Sequence, residues 1–172
     1  AGLFFPAGGW IAPQRFCQAA LAFLQQQPSF SVQFNCQVQQ IESNLTDGET
    51  SPSWRLETSL GLLHRRRVVL ANGTGLTQLT PAAHLPLNQI RGQVSHVKAN
   101  AMAALKTVVC HQGYITPAEQ QEHCVGATFD RSRSTPVELA EDNEHNLALV
   151  NTALQQPEWF ADATVVSAKA GV

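Results

Sequence analysis

The chain has 172 residues, 44 % of them apolar and 14 % charged, which is enough for a hydrophobic core in one ordinary domain or two small lobes. A formal charge of −2 gives no general attraction for nucleic acid or an anionic membrane, so any RNA footprint has to be a local patch. Apolar runs such as Val68–Ala71 are far too short to span a bilayer, and no basic segment leads into an apolar one at the start. A soluble, cytoplasmic protein is expected.

The chain opens without Met on extended-looking apolar residues (Leu3, Phe4, Phe5) and stops at Val165–Val172 with no polar tail, the pattern of an internal piece of a longer protein. Its four cysteines, Cys17, Cys36, Cys110 and Cys124, show no CxxC spacing, which favours reduced thiols packed as small hydrophobes.

In chain order, the first strand-like residues run into a turn at Pro6–Trp10. A helix follows from about Pro13, where Phe16, Ala19, Ala20, Phe23 and Leu24 recur at three- and four-residue spacing; Pro13 suits its first turn and Pro28 lies past its end. Residues 31–43 alternate weakly, with Val32, Phe34, Cys36 and Val38 in phase and Ile41 out of phase, which predicts a strand with a bend or bulge. Residues 44–52 are dense in turn formers and predict an exposed hairpin loop, after which Trp54–Thr58 returns as a strand. Val68–Ala71 reads as a strand covered on both faces.

From Gln89 the texture changes. Ile90, Val94 and Val97, then Val108–Val109, Tyr114–Ile115 and Cys124–Phe129 predict strands of one antiparallel sheet, with residues 116–121 joining two of them. Residues 137–154 predict a helix with Glu141, Asp142 and Glu144 on its polar side. Trp159–Phe160 and Val165–Val166 suggest one more buried strand. The Pro and polar content of residues 80–88 marks a boundary between lobes.

Several constellations invite chemistry. Gly73-Thr-Gly75-Leu-Thr-Gln78 after an apolar run resembles a dinucleotide fingerprint but fails as one, because Gln78 stands where the third glycine belongs and Pro81 stops any long helix. It reads better as a glycine turn letting backbone approach a ligand, or as an ordinary turn. Cys110-His111 and His123-Cys124 look like a zinc pair, yet adjacent strand residues point to opposite faces and cannot all converge on one ion, so no metal is expected. The basic run His64–Arg67 reads as the solvated start of the strand at Val68, with a phosphate contact as the minor alternative. Asp130, Arg131 and Arg133 fall in a Ser-rich turn. Asp142, His145 and Lys169 form no nucleophile–base–orienter set, and no nucleophile elbow is present.

Taken in order, Phe4-Phe5-Pro6-Ala7-Gly8-Gly9-Trp10, Val69-Leu70-Ala71-Asn72-Gly73, Pro86-Leu87 through Arg91-Gly92-Gln93-Val94, Gly113-Tyr114-Ile115-Thr116-Pro117 and Val125-Gly126-Ala127-Thr128-Phe129 resemble the D-amino-acid-oxidase-like family of FAD-dependent amine oxidoreductases. Phe-Phe-Pro-x-Gly-Gly-Trp, Arg91–His96, Glu122–Phe129 and the closing Ser167–Val172 are similar, more narrowly, to the branch of that family fused to a methyltransferase and acting on the wobble uridine of tRNA.

That resemblance implies an α/β (α+β) fold: a partial FAD-binding lobe over residues 1–84 and a mainly antiparallel substrate-domain sheet flanked by helices over 85–172. It implies FAD as cofactor, with Val38, Ala71, Asn72 and Gly73 near it, and Tyr114 and Arg91 toward the substrate or an anionic group. Tyr114 as a plain strand residue with its hydroxyl in water is the alternative. The family's GxGxxG opening and ribose-binding acid are missing from these residues, as is an Arg-containing segment expected beyond Val172, so the FAD site is expected to be incomplete and the piece inactive alone. The implied reaction is oxidation of a C–N bond in carboxymethylaminomethyl-(2-thio)uridine, leaving an aminomethyl group for the methyltransferase. A free-standing glycine- or sarcosine-type oxidase and a non-catalytic module with this fold remain as alternatives.

Overall fold

The computed structural model describes residues 2–44 and 53–172, and they fall into two compact units: Gln14–Asn88, and Ala1–Pro13 with Gln89–Val172. The chain therefore changes unit at the Pro- and polar-rich connector, and its first residues go with the later part of the sequence.

In the unit Gln14–Asn88, helix α1 (Pro13–Leu24) starts on proline, whose fixed φ and missing N–H cost nothing in a first turn. None of its residues is buried, and Phe16 and Phe23 are largely exposed. Strands β1 (Val38–Asn44), β2 (Ser53–Thr58) and β3 (Gly61–Arg65) form an antiparallel meander with Ile41 opposite Leu56 and Leu56 opposite Leu63. The expected bulge is present between Val38 and Gln40. The strand itself is shorter than expected, since residues 31–37 are not in it. The predicted hairpin loop at 44–52 lies, beyond Asn44, outside the described residues.

Thr58 closes the β2–β3 turn: its Oγ1 donates to the Gly61 carbonyl at 2.7 Å and accepts the Leu60 N–H at 3.1 Å, while Gly61 supplies φ +120°. Ile41, Leu56 and Leu79 form the small core, flanked by Val38, Trp54, Leu63, Val68 and Leu70. Two expectations are corrected here. The basic run ends β3 instead of opening a later strand, and Val68–Ala71 is not a doubly covered strand: it has no ladder neighbour among the described residues, and Val69 is exposed. An apolar run without a pairing partner cannot satisfy a ladder, whatever its propensity. Gly73–Gln78 then forms a 3-10 turn, not the α-helix a dinucleotide fingerprint needs.

The second unit is built on a five-stranded antiparallel sheet, order β5-β6-β7-β4-β8, from β4 (Gly92–Lys98), β5 (Val109–Cys110), β6 (Tyr114–Ile115), β7 (His123–Gly126) and β8 (Thr164–Gly171). Helix α2 (Ala140–Leu154) packs on one face against β4 and β7. Val97, Ala99, Met102, Ile115, Val125 and Val150 make the core, with Leu147, Leu154, Trp159 and Phe160 around them. Leu3–Phe5 form no strand, Trp159 and Phe160 sit in a 3-10 turn, and β8 is an edge strand with Val165 and Val166 substantially exposed, so it is not the buried strand the sequence suggested.

Burial along β4 is the larger surprise. Arg91, Gln93, Ser95 and Val97 form the inward row, while Ile90 and Val94 stay partly open. Three polar side chains occupy a core face because α2 meets them with polar groups of its own.

Candidate functional site

That polar seam occupies the part of the β4–α2 contact from Arg91 to Ser95. The Arg91 guanidinium, 1 % exposed, pairs with the Asp142 carboxylate at 2.5 Å and donates to the Val137 carbonyl and, at 2.9 Å, to Gln93 Oε1. Gln93 Oε1 also accepts the Leu139 N–H at 2.8 Å, and Gln93 Nε2 donates to the Leu139 carbonyl and to Asn143 Oδ1 at 2.8 and 3.0 Å. Ser95 Oγ donates to the same Asn143 Oδ1 at 2.7 Å, and Asn146 Nδ2 donates to Ser95 Oγ and to the Gln93 carbonyl. Leu139, at the α2 N-terminus, has no side-chain cap, and Gln93 takes over that duty across the interface. Arg91, which the resemblance sets toward the substrate or an anionic group, pairs here with Asp142. Its charge is already matched inside the unit, and Asp142 lies against it instead of on a solvated helix face.

The opposite sheet face carries Tyr114. Its hydroxyl stands 3.8 Å from Cys124 Sγ, and partial burial pushes both the phenol and the thiol above their ordinary pKa. Tyr114 is thus held as a protonated, hydrogen-bond-donating phenol. His123, one residue from Cys124, faces the other way: it is 1 % exposed and its Nδ1–H donates to the Thr116 carbonyl at 2.8 Å. Cys17 and Cys110 are exposed, against the expectation of buried thiols.

In the unit Gln14–Asn88 a concavity of about 710 Å³ is walled by Val38, Ile41, Leu70 and Ala71, with Asn72 and Gln78 adding polar groups. The structure thus brings Val38, Ala71 and Asn72 together. Gly73 stands beside them outside the lining, at φ +58°, a left-handed backbone that turns the chain into the 3-10 segment. Apolar walls next to a backbone stretch with no ladder neighbour suit a flat heteroaromatic ring that takes hydrogen bonds at its edge. The pyrophosphate of a dinucleotide asks for a glycine turn at the N-terminus of a full helix, and the 3-10 segment Gly73–Gln78 does not provide one. The residues present suit a flat ring and not a pyrophosphate. Missed by sequence reasoning were Gln37, just before β1, Gln78, at the end of the 3-10 turn, and Leu79, at its C-cap, which join this lining where neither alternation nor helical spacing announces them.

A family model for FAD dependent oxidoreductases matches residues 1–172, and the chain belongs to that family. Among individual proteins, it is 36 % identical over 177 residues to the "tRNA 5-methylaminomethyl-2-thiouridine biosynthesis bifunctional protein MnmC" of Aeromonas salmonicida, a match covering 100 % of this chain and 25 % of that protein. The protein of the same name from Shewanella sediminis is 33 % identical over 190 residues, covering 100 % of this chain and 26 % of its own length. The chain thus spans about a quarter of the length of these curated relatives. Among solved structures, glycine oxidase from Geobacillus kaustophilus superposes with a TM-score of 0.61 at 21 % identity over 79 % of this chain and 35 % of its own, which shows a shared fold. No helix among the described residues is long and apolar enough to cross a membrane.

Proposed function

We propose that this polypeptide is part of an FAD-dependent amine oxidoreductase that removes the carboxymethyl group from carboxymethylaminomethyl-(2-thio)uridine at the tRNA wobble position, giving the aminomethyl form, in the cytoplasm. The observation that carries this reading is the end-to-end 36 % identity to a bifunctional tRNA-modifying protein.

In this reading Val38, Ala71, Asn72 and Gly73 hold the adenine end of FAD. Further segments of the family fold, including a GxGxxG strand–turn–helix absent from these 172 residues, complete the flavin site. When bound, FAD would accept a hydride from the carboxymethyl carbon next to the secondary amine, and hydrolysis of the resulting C=N bond would release that carbon with its carboxylate as a two-carbon oxo acid, leaving the aminomethyl group. This chain's residues bind and orient: the Tyr114 hydroxyl, kept protonated, donates to the substrate carboxylate. The tRNA and a methyltransferase domain of the same chain are the partners.

The test is to express the full-length parent and follow its flavin absorbance. Bleaching by tRNA carrying carboxymethylaminomethyl-uridine, and not by free glycine, is the expected result. Bleaching by glycine alone would make it a free amino-acid oxidase, and a parent with no flavin spectrum would leave a non-catalytic module.

A further inference from the structure

Arg65, Arg66 and Arg67 are the only adjacent residues among the chain's eleven Lys and Arg, and all three are exposed, as is His64 before them. Much of the remaining positive charge is matched: Arg55 by Glu42, Arg91 by Asp142, Lys98 by Glu122, and Arg133 by Asp130 and Glu141. Among the described residues the three arginines have no ion-pair partner. Arg65 Nη1 donates to the His64 carbonyl at 2.8 Å, a local bond that leaves its charge unmatched.

Two ordinary duties of surface charge do not account for the run. β3 is an edge strand of its meander, and charged side chains along an edge hinder pairing with a foreign strand. But β3 ends at Arg65, so Arg66 and Arg67 lie past the ladder they would guard. Nor does the run neutralise acidic neighbours in the meander. Arg65 stands opposite Trp54, Glu42 is already held by Arg55, and Glu57 lies beside Leu62 toward the other end of β3.

The residue type points to phosphate. A guanidinium offers two parallel N–H donors to one phosphate and keeps its charge throughout the physiological pH range. An anionic bilayer is the other polyanion such a run could meet. Polybasic membrane segments carry roughly four to eight Lys or Arg, and stable anchoring takes a second signal such as an acyl chain. This run has three arginines, on backbone that is not helical.

We infer that Arg65–Arg67 is a phosphate-contacting surface for the backbone of the substrate tRNA. The inference rests on the tRNA substrate proposed above. It gives a chain of net charge −2 a local foothold for a polyanion. Phosphate contacts position without reading sequence, so this surface holds any tRNA alike and leaves the choice among them to contacts with the wobble base.

The test uses the full-length flavoprotein with Arg65→Gln, Arg66→Gln and Arg67→Gln combined, and with all three changed to Lys, each checked first for flavin content. Fluorescence anisotropy with unmodified tRNA gives the affinity across a potassium chloride series, and KM and kcat are measured on tRNA carrying carboxymethylaminomethyl-uridine. Each lost phosphate contact removes about 0.7–0.9 from the slope of log affinity against log salt, so the Gln variant is expected to show a slope shallower by about 2. Its binding at low salt should be about 10- to 100-fold weaker, with a comparable rise in KM and little change in kcat. The Lys variant keeps the slope, since an ammonium retains the charge without the fork. If the triple Gln variant loses flavin, Arg66→Gln and Arg67→Gln taken singly decide the question, each shallower by just under about 1.

Unchanged slope and affinity in the Gln variants overturn the inference, as does loss of binding to phosphatidylserine vesicles with tRNA binding intact. Turnover of the carboxymethylated tRNA with unaltered salt dependence would sink the surface and leave the proposed function standing. Arginine-dependent tRNA binding by a parent that does not oxidise that tRNA would do the reverse.

Discussion

Arg91 and Asp142 meet at 2.5 Å across the β4–α2 interface, 51 residues apart in sequence. With the arginine 1 % and the aspartate 14 % exposed, the pair is withdrawn from water at one end and nearly so at the other. Breaking such a pair leaves a charge stranded. Asp142→Ala is expected to lower stability by about 3–5 kcal/mol, and Arg91→Met on top of it to recover part of that loss, since an apolar pair replaces a lone buried cation. Urea denaturation of the full-length single and double variants checks this; additive losses would mean the two residues are not coupled.

Asn146 sits deeper in the seam, donating to Ser95 Oγ at 3.1 Å and to the Gln93 carbonyl at 3.0 Å. Removing its amide leaves a buried carbonyl without its donor, so Asn146→Ala is expected to cost about 1–3 kcal/mol. Chemical denaturation gives the number. A loss below a few tenths would show that water takes over the donor's place.

Gly113 lies where a Cβ would come within 2.8 Å of the Gly126 carbonyl oxygen and 2.9 Å of Leu149 Cδ2. Backbone cannot give way as a side-chain tip does. Gly113→Ala is expected to destabilise the sheet–helix packing by about 1–3 kcal/mol, read as a drop in the thermal midpoint of the second unit.

Cys124 titrates above its ordinary range because burial disfavours the thiolate, although its hydrogen bond with Tyr114 partly opposes this. The sign for stability follows. A thiol whose folded pKa is raised contributes stability below its unfolded pKa, and that contribution is lost as pH rises through the folded value. Alkylation by iodoacetamide at mildly alkaline pH should therefore modify the exposed Cys17 and Cys110 well before Cys124, as peptide mass spectrometry would show. Faster labelling of Cys124 would contradict the burial seen here.

The hydroxyl of Tyr114 carries the substrate role proposed for it. In the full-length enzyme Tyr114→Phe is expected to raise KM for the carboxymethylated tRNA by about tenfold, the worth of a hydrogen bond to a charged group. Unchanged turnover and affinity would remove that role.

Much of the second unit was legible in the sequence. Val109, Ile115 and Val125 are apolar at strand spacing with turn residues between them, and the sheet forms where they predict it. The seam was not legible, because Arg91, Gln93 and Ser95 alternate with Gly92 and Val94, and the rule of apolar-inward assigns the wrong row to the core. What reverses it is a set of partners some fifty residues away, on the helix from Ala140, which no local pattern reveals. The run Val68–Ala71 erred in the other direction: its composition is that of a central strand, but pairing is a property of neighbours. At the concavity, Ala71 and Asn72 lie in the lining beside the glycine turn, whereas Gln78 and Leu79 join it at the end of a 3-10 turn that carries no periodic signature.

The α2 contact divides its labour along its length. Toward the C-terminal half, Val150 and Leu154 adhere to Val97 and Met102 through non-directional apolar contact. At the N-terminal half, hydrogen bonds index the helix to the strand, and a slip of one turn would orphan Gln93, Asn143 and Asn146 at once. A greasy interface tolerates sliding; a keyed one does not. Because Gly92, Val94 and His96 hang from the same backbone as the keyed residues, whatever lies on the far side of β4 inherits a fixed bench to work on.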